Sequence, residues 1–153
     1  MFQVQVESIN PSITITAYVD LSLCTDNDDF VRHAQDALQA EGAKPGHAFI
    51  VSDVDQLPDQ FEEEGQLEDD VWEFLEDTQS LDINAVLAFV EFNGEWSTDR
   101  FNETYKGEFN SLAAFAANEC EEEPPTWLSI DWEQSGQNLM VDHTEINDFY
   151  FRR

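Results

Sequence analysis

The stretch ITITAYVDLSLCTDNDDFVRHAQDAL, residues 13–38, changes its hydrophobic period part-way along, and that change decides the fold class. Ile13, Ile15, Ala17, Val19 and Leu21 recur every second residue, the period of a half-buried strand. Phe30, Val31, Ala34, Ala37 and Leu38 then fall on one stripe of a helix, with Thr25 or Asp26 placed to cap it and Asp28 and Asp29 in its first turn. Gly42 reads as its stop, and Ala48–Val51 as a short buried strand. A strand, a helix and a strand within the first third point to an α+β chain.

Outward from this unit the pattern turns helical. Leu67, Val71, Phe74 and Leu75 have core-facing spacing, Ile83, Val86, Leu87 and Val90 repeat it after Asp82, and Gly94 ends that second helix. Ser97 or Thr98 caps a short helical turn through Phe101 and Tyr105. Further on, Ser111 caps a helix bearing Leu112, Phe115 and Ala116, and Pro124-Pro125 halts any regular element continuing past Glu123. Residues 131–141, with Gly136 inside them, fit helix and strand equally, whereas Phe149-Tyr150-Phe151 reads as a strand. The expected division is an N-terminal α/β subdomain over 1–57 (a small sheet plus a helix), a helical bundle over 58–103 and a C-terminal subdomain of helix plus strands over 104–153.

Charge restricts function more than fold does. Among 153 residues there are 34 Asp+Glu and 6 Lys+Arg, a net charge of −28. A disordered acidic tail would not need 12 Phe and 4 Trp, so a folded core is expected. A surface this negative is repelled by phosphate backbones and anionic lipid headgroups, which argues against nucleic acid or membrane as a partner. Residues 1–19 hold no Lys or Arg ahead of their apolar residues and no window approaches a membrane span, so a cytoplasmic protein is expected.

The acids are concentrated where bases are missing. No Lys or Arg lies between Lys44 and Arg100, a stretch that holds Asp53, Asp55, Asp59, Glu62, Glu63, Glu64, Glu68, Asp69, Asp70, Glu73, Glu76, Asp77, Asp82, Glu91, Glu95 and Asp99. Glu103 follows, and between Lys106 and Arg152 come Glu108, Glu119, Glu121, Glu122, Glu123, Asp131, Glu133, Asp142, Glu145 and Asp148. Solvated helix faces ordinarily mix Lys with Glu, because opposite charges at i,i+4 attract and like ones repel. Here Asp69 with Glu73 and Glu73 with Asp77 are like pairs, and Glu119–Glu123 set negative charge at a helix C-terminus, against the dipole. Local rules broken repeatedly in one direction suggest that the surface itself is the functional object. B-DNA carries about one charge per 1.7 Å of axis, so 28 charges correspond to roughly 48 Å, or about 14 base pairs. This density points to a polyanion decoy for a DNA-binding protein.

Catalytic chemistry finds no constellation. His33, His47 and His143 have no H-x-x-x-H or H-E-x-x-H spacing; Asp53-x-Asp55 opens like a calcium loop but has Leu57 at the third ligand and no glycine at the sixth position. Two distant cysteines, Cys24 and Cys120, with no C-x-x-C pair, are expected to be buried small apolar residues, with neither a disulfide scaffold nor a zinc site. No enzyme, cofactor or metal is expected.

One resemblance is specific. Tyr105-Lys106-Gly107-Glu108-Phe109-Asn110-Ser111-Leu112-Ala113-Ala114-Phe115-Ala116 resembles the Y-x-G-E-[YF]-x-S-x-x-x-F-A signature of the ArdA family of antirestriction proteins, through Tyr105, Gly107, Glu108, Ser111 and Phe115. Ile130-Asp131-Trp132 and Phe149-Tyr150-Phe151-Arg152 resemble that family's ending, and Ile15–Val19 and Phe49–Asp53 its opening strand and an apolar strand ending in Asp. The chain departs from the family over Leu21–Asp29, which lacks the asparagine- and glycine-bearing turn and the tryptophan that come after the first strand in members. The resemblance implies an elongated mimic of B-form DNA built of three small subdomains, pairing into a homodimer through its C-terminal part. Such proteins, carried by plasmids, transposons and phages, occupy the DNA-binding groove of type I restriction-modification enzymes. Three other readings compete: a DNA mimic aimed at another defence nuclease such as a CRISPR effector, a halophilic acidic coat on an ordinary protein, and an acidic chaperone for basic proteins.

Overall fold

The computed structural model describes residues 2–9, 13–46 and 48–153, and divides into two compact units, Met1–Ile83 and Asn84–Arg153. The fold is mixed α+β, with small antiparallel sheets in both units. Among the described residues no helix is long and apolar enough to cross a membrane.

In the first unit β1 (Gln3–Ser8) is the central strand, flanked by β2 (Thr16–Asp20) and β3 (Phe49–Asp55), both antiparallel to it. β1 is absent from the expected elements, although QVQVES alternates: Val4 and Val6 are buried and the Gln side chains are not. β2 is shorter than the 13–21 alternation implies, since Ile13 is 63 % exposed, while Ala17, Val19 and Leu21 are buried as expected. The second expected strand is also displaced: β3 runs on through Asp55, and of Ala48–Val51 only Val51 is buried, because β3 is an edge strand with one covered face.

α1 (Asn27–Ala40) packs Phe30, Ala34 and Leu38 inward. Asp26 is its N-cap, accepting the Asp29 N–H at 2.8 Å, and Gly42, at φ 104°, ends it as a residue without Cβ does most easily. After β3 the chain forms the hairpin β4 (Glu62–Glu63) and β5 (Gln66–Leu67), then α2 (Val71–Thr78). Leu67 is thus a hairpin residue and not the start of the helix. The turn is Glu64-Gly65, both at positive φ, a pairing that suits a two-residue hairpin. Phe61 stacks on Phe74 at 4.6 Å and Phe2 meets Phe74 edge-on at 5.2 Å. α2 therefore belongs to the first unit, and the expected helical stretch 58–103 is divided between the two units.

The second unit takes α3 (Ile83–Asn93) from Asn84 onward, followed by α4 (Thr98–Thr104), β6 (Tyr105–Glu108), α5 (Leu112–Glu119), α6 (Trp132–Leu139), β7 (His143–Ile146) and β8 (Phe149–Arg152). β8 lies between β6 and β7. The ambiguous 131–141 segment is a helix: Asp131 caps it, accepting the Gln134 N–H at 3.0 Å. Gly136 is buried where α6 meets α5, and a Cβ there would sit 2.5 Å from the Leu112 carbonyl oxygen. β7 and its turn to β8, Asn147-Asp148 at φ 53° and 71°, form a second hairpin that the hydrophobic pattern does not announce. The core is aromatic. Phe89 touches Trp96, Phe101 and Phe151, and Phe115 stacks on Tyr150 at 4.4 Å.

Candidate functional site

The residues of the family-like motif are mostly occupied in making the fold. Tyr105 opens β6 and stacks on Phe101 at 4.7 Å. Gly107, at φ 127°, forms the bulge where β6 pairs with β8, and the Phe109 ring lies over it so closely that a Cβ would be 3.2 Å away. Ser111 is the N-cap of α5, accepting the Ala114 N–H at 3.0 Å, and Phe115 is fully buried. Of the five, Glu108 alone is both exposed and acidic.

The acids form the surface. None of the 34 Asp and Glu residues is buried, and every one lies among the described residues. Glu62, Glu68 and Glu119 are half-buried, whereas the runs Glu63-Glu64 and Glu121-Glu122-Glu123 are exposed. The Glu62 carboxylate accepts the Gly65 N–H at 2.8 Å, holding the β4–β5 turn. Glu119 ends α5 and pairs with the Lys106 Nζ at 3.6 Å, so a base offsets part of the negative charge at this helix end. Glu121, Glu122 and Glu123 lie past the helix in an exposed segment. Glu103 pairs with Arg100 at 3.2 Å. Asp53 and Asp55 stand on β3, Asp59 in a short 3₁₀ turn, Asp82 between α2 and α3, Glu91 on α3, Glu95 just after it, and Glu133 in the first turn of α6.

The densest group lies in the first unit. Partial burial raises the Glu68 carboxyl above its ordinary value, and the hydrogen-bonded Glu63 carboxyl and the charges of Asp70 and Asp69 raise it further. Asp69 hydrogen-bonds Asn27, whose Oδ1 accepts the Trp72 Nε1–H at 3.2 Å. Because α2 starts at Val71, Asp69 and Asp70 precede it, where negative charge favours the dipole. Asp69 and Glu73 are therefore not an i,i+4 pair within one helix, as an earlier helix start would have made them. Glu73 and Asp77 remain one turn apart on α2, with Glu64 and Glu76 also near in sequence. The first unit carries 20 acids against 2 bases, net −18, and the second 14 against 4, net −10. No described helix has a base in its last turn.

The surface acids outside the base-free stretches include Asp28 and Asp36 on α1 and Glu41 beyond it. Their signal was available, since on α1 they occupy the positions that the apolar stripe leaves to solvent.

The thiols are also not where they were expected. Cys120 is exposed and Cys24 half-buried. Burial, then the negative charges of Asp29 and Asp20, push the Cys24 thiol up to about 11. Its neighbours are Asp29 and His33, and these three form a group of close donor atoms that linear spacing had not suggested. The Asp29 carboxyl lies below its ordinary value, chiefly through its hydrogen bond with Arg32. His143 is buried, its Nδ1 2.8 Å from the Leu139 carbonyl oxygen and 2.7 Å from Asp142 Oδ1, with its ring edge-on to Phe115. His47 lies outside the described residues. No protein-family model, no curated protein and no solved structure matches the chain.

Proposed function

We propose that the protein is a decoy for DNA: a non-catalytic inhibitor that occupies the DNA-binding groove of a type I restriction-modification enzyme on behalf of a phage or other mobile element, inside a bacterial cell. The observation that carries this reading is that all 34 acids reach solvent on two folded units with only six bases between them. Carboxylates stand in for phosphates, and Lys and Arg of the target's groove pair with them. The resemblance of residues 105–116 and of the chain's ending to the ArdA family supplies the target class, and with it a homodimer made through residues 105–153. Trp127 and Val141, 82 % and 80 % exposed, supply apolar surface within that range for such pairing. The binding energy is spread over many charge pairs, each screened by salt over about 10 Å at 0.1 M.

The reading is tested by expressing the protein in a strain proficient in type I restriction and plating unmodified phage. Plating is expected to rise toward that of a restriction-deficient strain, with modification blocked in parallel. Unchanged restriction at verified expression, across representatives of the type I families, overturns it.

A further inference from the structure

We propose that Cys24, Asp29 and His33 form a site for a single zinc ion at the start of α1. This goes beyond the decoy function and does not depend on it. The three side chains each offer one donor atom, and these atoms all lie within 4.8 Å of one another. A tetrahedral zinc with bonds of about 2.0–2.3 Å sets its ligand atoms roughly 3.3–3.8 Å apart. His33 Nε2 and Asp29 Oδ1 are already 3.6 Å apart, and the Cys24 sulfur, within 4.8 Å of both, would close on them to complete the set.

Local structure explains the convergence. Asp29 and His33 are one helical turn apart on α1 and share a face. The Asp26 cap turns the chain just before the helix, which brings Cys24 back against that face. Thr25 donates its N–H to Asp29 Oδ2 at 3.0 Å, fixing the carboxylate before any ion arrives. Arg32 also reaches Asp29 Oδ1. A carboxylate offers about four lone-pair directions, so these contacts leave capacity for a metal.

The donor set selects the ion. Carboxylates alone, of which this surface has many, hold hard cations weakly and interchangeably. Sulfur and imidazole beside one carboxylate favour zinc among the common cellular divalent ions. All three residues are half-buried, neither sealed in the core nor fully solvated, which gives an entry path and leaves a fourth position for water. The surrounding negative charge of the unit raises the local concentration of any divalent cation.

Cobalt(II) titrated into the chelator-treated full-length protein in excess magnesium and 0.3 M salt tests the assignment. The expected result is one equivalent bound with a thiolate-to-cobalt charge-transfer band, displaced by one equivalent of zinc. Cys24→Ser should abolish the band, and His33→Ala should weaken zinc binding by more than about tenfold, with helix content checked by circular dichroism. Cys120→Ser should change neither. Binding that magnesium abolishes, or a band that depends on Cys120 and survives Cys24→Ser, overturns the proposal.

Discussion

Asp148 shows how a single backbone angle carries a stability cost. It holds φ at 71° in the β7–β8 turn, where glycine would rest without strain. Asp148→Gly, giving an Asn-Gly turn, is expected to stabilise the protein by about 1 kcal/mol, read as a higher urea midpoint at unchanged slope. A neutral or lower midpoint would show that the Asp148 side chain compensates. Glu68 ties stability to pH. Its carboxyl holds its proton more tightly when folded than when unfolded, so the native state binds the extra proton between the usual carboxylate range and the raised value. Stability from this group is therefore complete at low pH and lost as pH rises through that window. Glu68→Gln should raise the melting temperature at pH 7 and leave it unchanged below the usual carboxylate range. An equal shift at both pH values would mean that packing, not charge, is responsible.

Among the elements, α5 and α6 are joined through Gly136. Alanine is the better helix former by about 1 kcal/mol, yet a Cβ at this position would lie 2.5 Å from the Leu112 carbonyl, and backbone cannot move aside as a side chain can. Gly136→Ala should therefore destabilise the second unit by about 1–3 kcal/mol in thermal denaturation, the range of overpacking. Stabilisation would place the two helices further apart than they stand here. The same segment shows what the sequence could tell. α1, α3 and α5 were legible because each carries an apolar run with a clear boundary residue, as with Asp26 and Ser111. α6 was not, because its packing residue is a glycine, which carries no hydropathy signal and reads as a breaker. β1 has only Val4 and Val6 as its apolar signal, and β4, β5 and β7 are too short for periodicity to register. The candidate surface was legible throughout, since a carboxylate without a buried partner must face water. The Cys24–Asp29–His33 group was not, because a capping turn, and no linear spacing, brings it together.

The whole molecule carries a net charge of −28 spread over two units of unequal density. Binding distributed over many carboxylates makes single changes such as Glu73→Gln nearly silent in an inhibition assay. Replacing Glu63, Glu64 and Glu68 together by Gln in the −18 unit should weaken inhibition more than replacing Glu121, Glu122 and Glu123. One carboxylate whose loss abolished activity would argue for catalysis instead. An acidic coat suited to concentrated salt predicts a chain that unfolds without it, whereas the aromatic cores around Phe89 and Phe115 predict native circular dichroism in dilute buffer. The most direct test is displacement of a fluorescent DNA duplex from a purified type I restriction-modification enzyme, titrated with this protein across a salt series. A DNA decoy should give complete, stoichiometric displacement at low ionic strength that weakens steadily as salt rises; DNA that stays bound at low salt in the presence of excess folded protein would contradict the decoy function.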